Sequence, residues 1–245
     1  MANPTIFVAA LGGILPALLW LAFWLLEDRC QPEPKRYIFF TFLGGMAMVF
    51  VAMIFERQGM SLLGLIAPPN ADSPLQTIAS FSFLVGLVEE SLKFIAAYLL
   101  ALRWAVFDEP LDGVIYLVTA ALGFSALENS LFLYSSITHG QQLGTIIAGG
   151  DLRFIGAMLL HSLSSASIGV ALAVTYNQSA AIRRMAALGG VILAVALHTL
   201  FDFLIISTGG TPHDATFWVF LFIWFGIVAA LLMVERVKQP ARDYC

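Results

Sequence analysis

Residues 75–102 read LQTIASFSFLVGLVEESLKFIAAYLLAL. A bilayer span needs roughly 20 predominantly apolar residues, and this run is long enough. Its apolar positions are continuous and do not alternate with a period of two, so it reads as a helix rather than a barrel strand. Yet Glu89, Glu90 and Lys93 lie inside it. A charged group at the centre of a membrane helix costs about 2.5–3.5 kcal/mol on insertion scales. Such groups turn toward one another or toward a wet cavity, and mark a functional site by default. The stretch therefore sets two expectations: a bundle of membrane helices, and a polar site within it.

The remaining sequence agrees. The chain has 245 residues, 60% of them apolar and only 11% charged, with a mean hydropathy of +0.88. A soluble domain carries about 25% charged residues. A water-soluble enzyme, a nucleic-acid-binding module and a disordered chain are thus excluded. Further apolar runs near 6–26, 37–55, 111–135, 154–176, 185–206 and 216–234 bring the count of stretches to seven. The expected fold class is all-α: a polytopic membrane helical bundle of about seven spans, one domain over 1–245. No Lys or Arg precedes the first run, so it reads as a permanent span rather than a cleaved signal. The odd-numbered connections and the C-terminal tail hold nine basic residues, against two in the N-terminus and the even-numbered connections. That bias predicts an outside N-terminus and a cytoplasmic C-terminus, in the cell (inner) membrane. Cys30 and Cys245 have neither metal-ligand spacing nor a disulfide framework. The connection over 136–152 is Gly-rich and half apolar, suited to dip into the membrane or cover a site.

Beyond Glu89, Glu90 and Lys93, the spans contain Glu128, His161, His198 and Asp202. One shared site explains this set better than separate accidents. Glu89 and Lys93 are four apart on one helix face, which also suits a simple intrahelical ion pair. Glu90 has no such local partner. His198 and Asp202 are also four apart, so the carboxylate can orient the imidazole, join it on a metal, or pair with it structurally. His161 shares a face with Ala157, Ser165 and Gly169, a stripe that equally reads as a helix-packing seam. Asp112, beside Glu109 and Pro110, reads most simply as stabilising the start of the fourth span.

Two His with several carboxylates is the donor chemistry of a hydrolytic metal site, in which a carboxylate activates water. The expected ligands are Glu128, His161 and His198, one from each of three spans, with zinc as the expected divalent ion. No HExxH motif is present. A metal-free route is open too, with Glu89 activating water and the histidines binding the oxyanion. At about 1.5 Å rise per residue, Glu128, His161 and His198 fall in the outer half of the bilayer. Glu89 meets them only if the third span begins nearer Ser80 than Leu75. A proton- or ion-coupled transporter and a non-catalytic scaffold are the competing classes. The absence of an internal repeat weighs against transport.

The motifs in order resemble a known family. Glu89-Glu90-Ser91-Leu92-Lys93 matches EExxK, Phe124 to Glu128 matches FxxxE, His161, Ser165 and Gly169 match HxxxSxxxG, and His198 to Asp202 matches HxxxD. Asp108-Glu109-Pro110-Leu111-Asp112-Gly113 and the Pro32-Glu33-Pro34 loop are also typical. The set resembles the PrsW family of intramembrane proteases, within the group that contains CAAX prenyl endopeptidases. The resemblance implies an endopeptidase that cuts a single-pass membrane protein, such as an anti-sigma factor, at a first site. It implies that Glu89 and Glu90 activate or bind water, and that Glu128, His161, His198 and Asp202 complete the catalytic set. Prenyl endopeptidases have FxxxH where this chain has Phe124 and Glu128, which argues against prenylated substrates.

Overall fold

The computed structural model describes residues 4–28, 31–140, 151–209 and 214–238. Among these lie seven long helices and no strand: α1 (Pro4–Glu27), α2 (Lys35–Leu62), α3 (Leu75–Ala97), α4 (Asp112–Thr138), α5 (Asp151–Val174), α6 (Ala180–Ser207) and α7 (Asp214–Lys238). A π-turn, Tyr98–Leu102, finishes α3. Six of the seven are long and apolar enough to cross a membrane. The exception is α3, which carries Glu89, Glu90 and Lys93. The chain is thus a multi-pass, all-α membrane protein. Most of the 136–152 connection, both cysteines and His213 lie outside the described residues.

α4 is the axis of the bundle. Every residue from Asp112 through Ala126 is buried, as expected of a helix that is apolar all round. α1, α2, α3 and α5 pack around it, α6 packs on α3 and α5, and α7 leans mainly on α5. Because lipid is as apolar as Leu, close backbone packing takes the place of a hydrophobic driving force, and small residues make it possible. A Cβ on Gly45 would stand 2.0 Å from the Ala120 carbonyl oxygen, and one on Gly123 would stand 2.0 Å from that of Phe42. α2 and α4 therefore cross with their backbones in contact. Lys238 at the end of α7 pairs with Glu27 at the end of α1, so both helices finish on the same side of the bundle.

At that side the Pro-Glu-Pro loop meets the start of α4. The Tyr116 hydroxyl donates to Glu33. The Glu33 N–H donates to Asp28 Oδ2 at 3.3 Å. Asp112 Oδ2 accepts from the N–H groups of Asp108 at 2.8 Å and Glu109 at 2.7 Å. Asp112 thus fastens the loop ahead of α4, rather than only favouring the helix dipole. Burial pushes the loop carboxyls up. Glu33 rises to about 9, with the hydrogen bond shared with Asp112 adding to desolvation and the Tyr116 hydroxyl opposing it. Glu109 rises to about 8, desolvated and facing Asp112 and Asp28. Asp28 rises to about 6, desolvation outweighing its hydrogen bond with Glu109.

The helix α3 starts at Leu75, five residues before Ser80. From that start Glu89 reaches Lys93, His161 and His198. α5 begins at Asp151 and α6 continues to Ser207, so both helices extend beyond their apolar stretches.

Two outcomes follow from these contacts. Gly123→Ala is expected to lower the thermal unfolding midpoint in detergent, since overpacking costs about 1–3 kcal/mol and the obstructing atoms are backbone. Gly189→Ala, with nothing within 4 Å of the added Cβ, is expected to be neutral or to gain up to about 1 kcal/mol. Glu33 and Glu109 hold protons in the folded protein that the unfolded chain releases above its ordinary carboxyl pKa of 4.5. Their stabilisation is therefore complete below pH 4.5 and is lost as pH rises through about 8 to 9. Melting curves from pH 5 to 9 should show a falling midpoint, and Glu33→Gln should flatten that fall.

Candidate metal and catalytic centre

Four helices bring the polar residues together. α3 supplies Glu89, Glu90 and Lys93, and all three are buried. α4 supplies Glu128, α5 supplies His161, and α6 supplies His198 and Asp202. The i, i+3 and i, i+4 spacings on α3 let one ammonium reach both of its carboxylates. Lys93 Nζ lies 3.0 Å from Glu89 Oε2 and 2.8 Å from Glu90 Oε1. It also lies 2.6 Å from His161 Nδ1. An ammonium only donates, so Nδ1 must be the accepting nitrogen. The His161 proton then sits on Nε2 and is donated to Glu128 Oε2 at 2.9 Å.

His198 bridges two carboxylates. Its Nδ1 is 2.8 Å from Glu90 Oε1 and its Nε2 is 3.3 Å from Asp202 Oδ2. The two imidazole rings face each other edge to face, with centroids 5.3 Å apart. Phe124 closes one wall, and the Lys93 ammonium lies 4.6 Å from its ring centroid, a cation–π distance. Exposure is graded across the cluster. Lys93 and Glu90 side chains are fully buried, whereas those of Asp202 and Glu128 are 21% and 37% exposed. Glu128 and Asp202 therefore form the open edge of an otherwise enclosed site.

All six expected residues converge, and Lys93 joins them as the shared cation rather than as the partner of Glu89 alone. The metal-capable donor group differs from expectation by one carboxylate. Glu89, His161 and His198 offer ligand atoms that all lie within 4.8 Å of one another, whereas Glu128 sits behind His161 as a hydrogen-bond acceptor. Glu89 Oε2 is 3.9 Å from His161 Nδ1 and 3.8 Å from His198 Nε2. One carboxylate and two imidazoles are a donor set that suits a divalent metal such as zinc.

Sequence reading missed Glu56. The apolar run of the second span ends at Phe55, but α2 continues to Leu62. Ala52, one turn before Glu56, packs with Leu92 and Phe124. Gly59, one turn after it, abuts Leu84. Glu56 consequently lies level with the Glu89 turn of α3. Glu89, Glu128, His198 and Lys93 are the charges that act on it. The available signal was a helix period continuing past the last apolar residue.

Glu90 is the member whose loss should hurt folding most. Glu90→Ala removes the carboxylate shared by Lys93 and His198, and breaking a buried pair this way costs roughly 3–5 kcal/mol. Its unfolding midpoint should fall well below that of Asp202→Ala, whose carboxylate is partly exposed. Thermal denaturation of both variants in one detergent checks this.

Comparison with known proteins places these motifs in context. Residues 33–231 match the family model described as PrsW family intramembrane metalloprotease. The chain is 26% identical over 234 residues to Protease PrsW of Geobacillus kaustophilus, covering 94% of this chain and 92% of that one. It is 26% identical over 222 residues to Protease PrsW of Bacillus subtilis, covering 90% and 93%. Over 129 residues it is 32% identical to Protease PrsW of Oceanobacillus iheyensis, covering 53% and 54%. No solved structure matches the chain significantly.

Proposed function

Because the chain belongs to the PrsW family of intramembrane metalloproteases, hydrolases that act on peptide bonds, we propose that it cuts a single-pass protein anchored in the same cell membrane, of the anti-sigma-factor kind, at a first site. The observation that carries this reading is the buried Glu89–His161–His198 group on three separate helices. Hydrolysis inside a bilayer needs water, a base and positive charge at one spot, and this group brings a carboxylate and two imidazoles together beside the Lys93 ammonium.

In this reading Glu89, His161 and His198 hold a divalent metal, with zinc the best chemical match. When bound, the ion supplies Lewis-acid polarisation and lowers the pKa of water. The chain's own residues do the rest. Glu128 is the most exposed carboxylate of the cluster, and it accepts the proton of the attacking water. The His161 Nε2–H holds Glu128 Oε2 in place for that transfer. Glu90 orients the His198 ring through Nδ1, which leaves Nε2, on the side of Glu89 and Asp202, as the nitrogen that would face the metal. Lys93 neutralises Glu90, which leaves the site fit to develop negative charge elsewhere.

An apolar groove beside the cluster suits a substrate embedded in the membrane. It has a volume of about 370 Å³ and is lined by Leu160, Leu197, Phe201, Trp218 and Phe222, among others. Leu160 and Leu197 are the chain neighbours of His161 and His198. An apolar segment lying there would run past the site at the depth of its histidines.

One observation favours a second reading. Each ring nitrogen of His161 and His198 already has a protein partner. Without a metal, Glu89 would activate water, and Lys93 and His198 would stabilise the oxyanion.

Purified protein in liposomes with a single-pass substrate tests both. Glu89→Gln is expected to lose cleavage by at least about 100-fold, the scale of general acid–base and electrostatic contributions, while keeping its fold. Near-stoichiometric zinc in the wild type, lost in His198→Ala, supports the metal reading. A zinc-free protein that cleaves, and is not accelerated by added zinc, supports the second. A folded wild type that cleaves no membrane-anchored substrate overturns both.

A further inference from the structure

Lys93 contacts two of the three donors that a metal would use. Its ammonium bridges two of the three proposed ligands, 3.0 Å from Glu89 Oε2 and 2.6 Å from His161 Nδ1. Both atoms approach it with lone pairs that a divalent ion would use. Two cations cannot share these donors in a dry site, because charges a few ångströms apart in low dielectric repel by several kcal/mol. The same ammonium has a third partner outside the proposed ligand set, Glu90 Oε1 at 2.8 Å. Glu90 is fully buried, and its other oxygen, Oε2, has no hydrogen-bond partner. A buried carboxylate oxygen left in this state is costly. It is also an acceptor suited to an ammonium displaced from Glu89 and His161.

We propose that Lys93 is a built-in counter-cation that holds the metal position in the metal-free chain and transfers onto Glu90 when a divalent ion binds Glu89, His161 and His198. The two adjacent carboxylates of α3 then serve different states. Glu89 belongs to the metal when loaded and to Lys93 when empty. Glu90 belongs to Lys93 throughout. In a membrane the arrangement has a plain purpose: an unpaired Glu89 is too costly to bury, so the chain carries the cation that lets α3 insert and pack before any metal arrives. The inference rests on the metal reading of the site.

The test compares zinc binding and stability in full-length wild type, Lys93→Met and Glu90→Gln, each stripped of metal in detergent and titrated with zinc alone. Removing the competitor should tighten zinc binding in Lys93→Met by roughly tenfold or more, about 1.4 kcal/mol. Its metal-free form should melt below the metal-free wild type, and zinc should raise its midpoint by more than it raises that of the wild type. Glu90→Gln, lacking the anionic acceptor for the displaced ammonium, should bind zinc more weakly than wild type. If stripping unfolds Lys93→Met, preparing it with zinc throughout should restore a folded protein that a chelator then unfolds. Equal or weaker zinc binding in Lys93→Met overturns the proposal. So does a Lys93→Met protein that stays unfolded in zinc, since the metal then does not replace the ammonium.

Cleavage is assayed separately, so the two readings fail differently. Zinc competition without proteolysis leaves this proposal standing and removes the protease assignment. Cleavage by a protein that binds no zinc in any variant does the reverse.

Discussion

One ammonium ties the polar interior together. Lys93 reaches Glu89 and Glu90 on its own helix and His161 on α5. Glu90 passes the connection to His198 on α6, and His161 passes it to Glu128 on α4. Four helices are thereby joined through charges that lipid would not tolerate singly. In water such a pair would contribute little. Here the alternative to pairing is a naked charge in hydrocarbon, so the network constrains how α3, α5 and α6 sit around α4.

That constraint needs a rigid partner, and α4 provides it. Its first fifteen residues are wholly enclosed, and glycine allows α2 to lie directly on its backbone. The same helix carries Asp112 and Tyr116 in the carboxylate cluster at one end, and Phe124 and Glu128 at the candidate centre. From Tyr116 to Glu128 is about 18 Å along a helix. The Pro-Glu-Pro loop and the Asp108–Gly113 turn, which no catalytic role explains, thus fix the end of the element on which the site is mounted.

Much of this was legible in the sequence for physical reasons. Charges inside apolar runs announce themselves, so Glu89, Glu90, Glu128, His161, His198 and Asp202 stand out in the sequence, and all of them meet in the fold. Helix length was less legible, because apolar content marks the bilayer core and not the helix ends. That is why Glu56, one residue past the apolar run of α2, does not stand out in the sequence. Rotation about a helix axis was not legible at all. Spacing alone cannot say whether Glu89 or Glu128 turns toward the space between the two histidines, or that Lys93 reaches past its own helix to His161. Asp112 was read from its position as a helix-start charge, whereas its oxygen turns back to hold the N–H groups of Asp108 and Glu109.

The contact between α2 and α4 also bears on how such a chain can change over generations. At Gly45 and Gly123 each helix meets the carbonyl of the other, and no single side chain added on one helix can be absorbed by a smaller one opposite. Compensation, the ordinary route by which packed interiors drift, is closed there. The lipid-facing positions have no such tie, since any apolar side chain of suitable size dissolves equally well in acyl chains. Descent is therefore free to rewrite the outside of this molecule while its backbone crossing stays nearly fixed, and relatives sharing about a quarter of their residues with it can keep one architecture.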